Sequence, residues 1–117
     1  MSMDPSLIHE LDPTLHEKSR LLIASVLSQQ EVLSFIELKN ILGMTDGNLC
    51  VHIKTLEKRG YLTTTKAKAN GKMRTTCRLS DRGKKALLSY LENLETLIKE
   101  LRGRRRRRRT PSSLDLN

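Results

Sequence analysis

The chain has 117 residues, a formal net charge of +9, no Trp and one Phe, so it suits one domain whose single core is built from aliphatic side chains. No apolar run approaches the roughly 18 residues of a membrane span, and the opening MSMDPSLIHELD lacks the basic-then-apolar order of a secretion signal, so a cytoplasmic protein is expected. Cys50 and Cys77 form neither a CxxC nor a Cys/His spacing, which leaves reduced thiols, no metal and no cofactor as the expectation.

Residues 1–12 read as an N-terminal extension in which Leu7, Ile8 and Leu11 allow a short amphipathic turn or helix. Asp12 before Pro13 marks a helix start, and Leu15, Leu22, Ile23, Val26 and Leu27 carry a 3.6-residue period to about Ser28. Glu31 to Leu33 is a short extended link. Ser34 with Glu37 three residues on forms a capping box for a second helix, lined by Phe35, Leu38, Ile41 and Leu42 and closed by Gly43. Thr45 caps a third helix with Leu49, Ile53 and Leu56 inward and Gly60 after it. Residues Tyr61–Lys68 and Met73–Leu79 read as a two-stranded hairpin around Asn70-Gly71. Ser80 then caps a long helix, 81–102, and residues 103–117, with six consecutive Arg, read as a disordered tail outside a domain of residues 13–102.

The charge is segregated. Residues 1–53 carry three basic and seven acidic side chains, 54–85 eleven and two, 86–101 one and three, and 102–117 seven and one. Such blocks fit a polyanionic partner. With its core residues inward, the third helix offers Asn48, Val51, His52, Lys54, Thr55 and Lys58 on its exposed or flanking sides, and Thr45 at its start. Small polar and apolar groups there suit base edges, and the lysines suit phosphates. The hairpin adds Lys66, Lys68, Asn70, Lys72, Arg74 and Arg78, with no acidic residue between Lys58 and Asp81. Lysines also protect an exposed strand edge from pairing, but this density exceeds that need. In the last helix Leu87, Leu91, Leu94, Ile98 and Leu101 step by 4, 3, 4 and 3, a heptad seam for a homodimer. His9, His16 and His52 have no carboxylate or thiol at ligand spacing, and no Gly-rich phosphate loop, GxSxG or HExxH is present, so an enzyme is not expected.

The stretches ILGMTDGNLCVHIKTLEKRGYL and KMRTTCRLSDRGKKAL resemble the small MarR-like and ArsR-like winged-helix transcriptional regulators, over about residues 15–101. The resemblance implies a mainly α (α+β) winged helix-turn-helix with three helices, a two-stranded β-hairpin wing and a long C-terminal dimerisation helix. It also implies a homodimer on double-stranded DNA. The paired-cysteine box of metal-sensing ArsR relatives is absent, and the chain is shorter than MarR relatives that hold a ligand between longer helices, so no small-molecule effector is assigned. A winged-helix protein-interaction module and a non-specific nucleic-acid binder are the alternatives, and the scarcity of aromatic residues argues against single-stranded RNA. Arg104 to Arg109 lie outside the resemblance and are expected to add sequence-blind affinity for DNA.

Overall fold

The computed structural model describes residues 10–108, so the expected turn at Leu7 and Ile8, His9, and the stretch from Arg109 onward lie outside it. Along the chain come α1 (Lys18–Gln29), β1 (Leu33–Ser34), α2 (Phe35–Leu42), α3 (Asp46–Lys58), β2 (Leu62–Ala69), β3 (Lys72–Leu79) and α4 (Asp81–Arg108).

The first helix starts later than expected. Asp12 Oδ1 does accept free amides, from Thr14 (2.8 Å) and Leu15 (3.3 Å), but they close an isolated turn. Glu17 is the residue that caps α1, accepting from the Arg20 amide at 2.8 Å. Burial alone would raise the Glu17 carboxyl, but the amides of Arg20 and Ser19, then the charges of His52 and Arg20, bring it below its usual range. Of the expected inner faces, Ile23 and Leu27 on α1 and Leu38 on α2 are buried, whereas Leu22, about 100° from Ile23, and Ile41, about 60° from Leu38, lie at the edges of those arcs and stay exposed.

The caps of α2 and α3 fall as expected. Ser34 N–H donates to Glu37 Oε1 (2.8 Å) and Glu37 N–H donates to Ser34 Oγ (3.0 Å), while Gly43 ends α2 in the left-handed region, φ 65°. Those bonds from Ser34 hold the Glu37 carboxyl below its usual range, with Arg74 adding a smaller pull. A lowered folded-state value means stability present above the usual carboxylate range and lost as pH falls through the folded value. Glu37→Gln is therefore expected to melt below the wild type at pH 7. The gap should close below about pH 4, the unperturbed Glu value being ~4.3. A gap independent of pH in thermal melts would count against it.

The hairpin turns on Asn70 (φ 53°) and Gly71 (φ 77°), the pair of positive φ angles that a two-residue type I′ turn requires. Its register pairs Leu62 with Leu79 at the base and Ala69 with Lys72 at the tip. The sheet has three strands rather than two, in the order β1-β3-β2. The expected link is in fact an edge strand, Leu33 facing Cys77 and Ser34 facing Thr76, because Leu33 must enter the core where β3 buries Cys77. Burial pushes the Cys77 thiol up to about 11, so it is protonated and inert at neutral pH.

At the base of the hairpin, Ser80 N–H donates to Tyr61 O (2.9 Å) and Ser80 Oγ donates to Gly60 O (2.6 Å) while accepting from Gly83 N–H (3.0 Å). This explains the run Leu79-Ser80-Asp81-Arg82-Gly83: the serine ties the last turn of strand to helix, and the glycine lets α4 lie against the Tyr61 carbonyl.

Helix α4 differs from expectation twice. It buries Leu87 and Tyr90 and half-buries Leu94 and Leu97 against its own domain, so Leu87 and Leu94 leave the expected dimer seam. It also continues to Arg108 instead of ending near Arg102, so residues 103–108 are helical and not a disordered tail. Arginine is a good helix former, positive charge at a helix C-terminus is favourable, and a lone glycine does not suffice to stop the helix.

Ahead of α1, a strap of residues 10–16 crosses to three distant parts of the molecule. Tyr61 Oη donates to Asp12 Oδ2 and itself accepts from Arg59 Nη2 (3.1 Å). His16 Nδ1 lies 2.8 Å from Tyr90 Oη, and Asn93 Nδ2 donates to Glu10 O at 3.0 Å. Leu11 and Leu15 are buried beneath it, so the folded unit takes in residues that read as an extension.

The molecule measures 69 × 28 × 22 Å, with a radius of gyration of 19.0 Å against about 13 Å for a compact domain of this length. Hairpin and α4 leave the core from one junction.

Candidate nucleic-acid interface

Helix α3 is anchored from within by Leu49, Ile53 and Leu56, all 5% exposed or less. At 100° per residue their opposite side carries Asn48, Val51, Lys54, Thr55 and Lys58. Val51 is 61% exposed, an apolar side chain left in water at the centre of that face. Thr45 Oγ1 accepts from the Asn48 amide (3.2 Å), so the threonine serves as the cap and sets where Asn48 emerges. Thr55 Oγ1 donates to Val51 O at 3.1 Å, which holds its methyl and hydroxyl in place on the helix surface. Asp46 would oppose an approaching phosphate, but Lys39 of α2 pairs with it at 2.8 Å.

His52 is the expected site residue that the structure takes away from the open face. Its Nδ1 lies 3.2 Å from Arg20 Nη1 and 3.7 Å from Glu17 Oε1, and Arg20 Nε donates to Thr14 O at 2.7 Å. The side chain thus braces α3 against α1 rather than facing solvent.

The other flank of α3 turns toward the hairpin. Glu57 Oε2 accepts from Thr64 Oγ1 of β2 at 2.6 Å, a tie between the two elements that charge patterning could not reveal. Beside it Phe35, Cys50, Ile53, Lys54, Lys66 and Thr75 line a shallow cleft. Alternation along the paired strands sets Lys66 and Lys68 on the face that shares Cys77, and Lys72, Arg74 and Arg78 on the other. All five are exposed, as is Asn70 at the tip, so the ribbon is cationic on both faces. Arg78 sits nearer the base than the rest. Lys54 and Lys58 thereby border one uncharged patch made by Asn48, Val51 and Thr55, with Lys66 in the cleft beside Lys54 and with Lys72 and Arg74 beside the start of α2.

A family model described as a winged helix DNA-binding domain matches residues 19–98. The chain belongs to that family. Within the winged helix, α2 and α3 are the helix-turn-helix, β2 and β3 are the wing, and α4 is the terminal helix. The chain is 33% identical over 82 residues to an uncharacterized protein of Methanocaldococcus jannaschii, covering 70% of this chain and 89% of that one. It is similar to the structure of a transcriptional regulator homologue from Pyrococcus horikoshii, with 28% identity, a TM-score of 0.77, and 82% of this chain and 97% of that chain covered. A mutant MarR from E. coli matches at 17% identity with a TM-score of 0.65, covering 84% and 72%, a likeness of fold. The winged-helix fold class is thus supported, with the sheet enlarged by β1, and the likeness to MarR is one of fold. Among the described residues no helix is long and apolar enough to cross a membrane.

Proposed function

We propose that this winged-helix protein is a sequence-specific transcriptional regulator that binds double-stranded DNA as a homodimer in the cytoplasm. The observation that carries the reading is the outer face of α3, an uncharged strip of Asn48, Val51 and Thr55 bordered by Lys54 and Lys58, with Lys66 of the wing beside Lys54. A helix of that composition fits the major groove, where asparagine can bond an adenine edge and valine can meet a thymine methyl. The lysines and Arg74 then hold the phosphates and, through Asn70, the wing tip reaches the neighbouring backbone or minor groove. A protein-interaction module has no need of eleven basic side chains within residues 54–85.

Dimerisation is supported by what α4 leaves uncovered. Leu88, Leu91, Ile98 and Leu101 are 39–59% exposed along one side of a helix whose last turns extend past the domain. A second copy laid along this side would cover them, and a two-fold pair of α3 helices about 34 Å apart would meet half-sites one helical turn apart.

Selection of bound duplexes from a random pool at physiological salt tests the reading, with a two-fold repeated motif expected. On the selected site, Asn48→Ala is expected to cost about 1–3 kcal/mol, while its effect on random duplex stays within about twofold. Lys68→Gln should instead weaken both alike. Sequence-blind recovery, or equal losses for Asn48→Ala on both duplexes, would remove the base-reading role.

A further inference from the structure

Cations on an exposed strand edge repel other strands of like charge, and on this wing they leave room for a strand of the opposite charge. In the sheet β1-β3-β2, the two residues of β1 cover β3 only opposite Thr76 and Cys77. From Thr75 to Lys72, no strand lies beyond β3 among the described residues. Ala69 and Lys72 flank the two-residue turn of Asn70 and Gly71 as a hydrogen-bonded pair. By the alternation of an antiparallel ladder, the N–H and C=O of Met73 therefore point away from β2, toward the open edge.

A cleft of about 350 Å³ lies between the first turn of α2 and this stretch of β3, lined by Phe35 and Ile36 and by Lys72, Met73, Arg74 and Thr75. Ile36 and Met73 are 66% and 64% exposed, two apolar side chains in water beside open backbone groups. Along β3 the side chains alternate, with Lys72 and Arg74 on one face and Met73 and Thr75 on the other. A strand laid against β3 repeats that alternation. The one that fits carries acidic side chains on the Lys72 and Arg74 face and apolar ones on the Met73 face. Glu37, the carboxylate on the cleft, is already engaged, since its Oε1 accepts from Ser34 N–H at 2.8 Å and Arg74 lies near its charge. A second copy of β3 would set cations against cations, and a phosphate backbone gains nothing from Ile36 and Met73. An acidic, extended stretch of protein satisfies the charge, the backbone and the apolar surface together.

We propose that the edge of β3 from Lys72 to Thr75, with the first turn of α2, docks an extended protein segment of alternating acidic and apolar residues, which joins the sheet beside β3 in line with β1. Lys72 and Arg74 are also wing cations assigned to phosphates above, so the segment and DNA compete for the wing, and docking releases the regulator from its operator. That release rests on the proposed function. The docking itself does not.

The probe is a capped, fluorescent hexapeptide alternating glutamate and valine, titrated with the full-length protein at physiological salt and without DNA. It is expected to bind at least about tenfold tighter than the same peptide with lysine in place of glutamate. N-methylation at the valines, whose amides would face β3, should cost at least about tenfold, and N-methylation at the glutamates no more than about threefold. Hydrogen exchange at the Met73 amide should slow at least about tenfold when the peptide is bound. Lys72→Glu with Arg74→Glu, both exposed, is expected to reverse the preference in favour of the lysine peptide. No binding of the glutamate peptide, equal binding of the two peptides, or an unchanged preference in the charge-reversed protein would overturn the proposal. If raising the protein concentration alone slowed exchange at Met73, a second copy would cover the edge and the choice of partner would be wrong. Operator duplex is expected to displace the peptide, while Asn48→Ala leaves peptide affinity within about twofold. A peptide that stayed bound beside the operator would overturn the release step. Failure to find any operator would sink the function above and leave the peptide titration to decide the docking.

Discussion

Gly83→Ala is expected to lower the melting temperature by roughly 8–16 °C, at about 4–8 °C per kcal/mol for a domain of this size. A Cβ at that position would sit 2.1 Å from the carbonyl oxygen of Tyr61, 2.9 Å from its carbon and 3.0 Å from Leu79 Cδ1. The carbonyl is not free to retreat, because it accepts from Ser80 N–H at 2.9 Å and belongs to a buried tyrosine bonded to Asp12. Overpacking of this kind costs about 3 kcal/mol, and the better helix propensity of alanine returns about 1, which leaves about 2. Circular dichroism melts of the two proteins make the comparison. A variant as stable as wild type would mean that α4 does not need this close approach to the wing base.

The pair Leu91→Lys and Ile98→Lys is expected to give a folded monomer whose operator affinity is lower by about 100-fold or more, the low end of what tethering two binding modules contributes. Both side chains are exposed in the protomer, 47% and 39%, so charge there disturbs association and not the core. Leu87 or Leu94 would be the wrong choice, since each packs into its own domain and a lysine there would unfold it. Sedimentation and operator titration of wild type and variant decide the matter. A wild type monomeric at micromolar concentration yet operator-specific, or a variant still dimeric, would end the homodimer reading.

Much of this fold was legible because its signals are local. The Ser34/Glu37 box, the Thr45 cap, the αL residue Gly43 and the Asn70-Gly71 turn each act within a few residues, and each stands where the chain chemistry puts it. The exposed strip of α3 followed from the same logic, since Leu49, Ile53 and Leu56 fix the opposite side. What misled was competition between equivalent local signals. Asp12 does accept the free amides of Thr14 and Leu15, but the turn it closes goes no further and Glu17 caps α1. His52 read as a surface residue because its partners, Glu17 and Arg20, are more than thirty positions away. The heptad of α4 was real as a pattern, but spacing cannot say whether a leucine meets a second chain or its own domain. The long helix end escaped notice because repulsion among arginines suggested an open chain, while their helix propensity and place at a C-terminus favour continuation.

The strap of residues 10–16 has a kinetic meaning. Its bonds close loops of 49 residues to Tyr61, 74 to Tyr90 and 83 to Asn93, longer than the 44 residues between Leu33 and Cys77 across β1 and β3. Loop closure costs entropy that rises with the logarithm of length, and none of these partners lies within the strap's own neighbourhood. The hairpin base and two successive turns of α4 must already stand side by side before the strap has anywhere to bind. The strap is thus a latch across the hairpin base and α4, one that can engage only where those two arms stand in register.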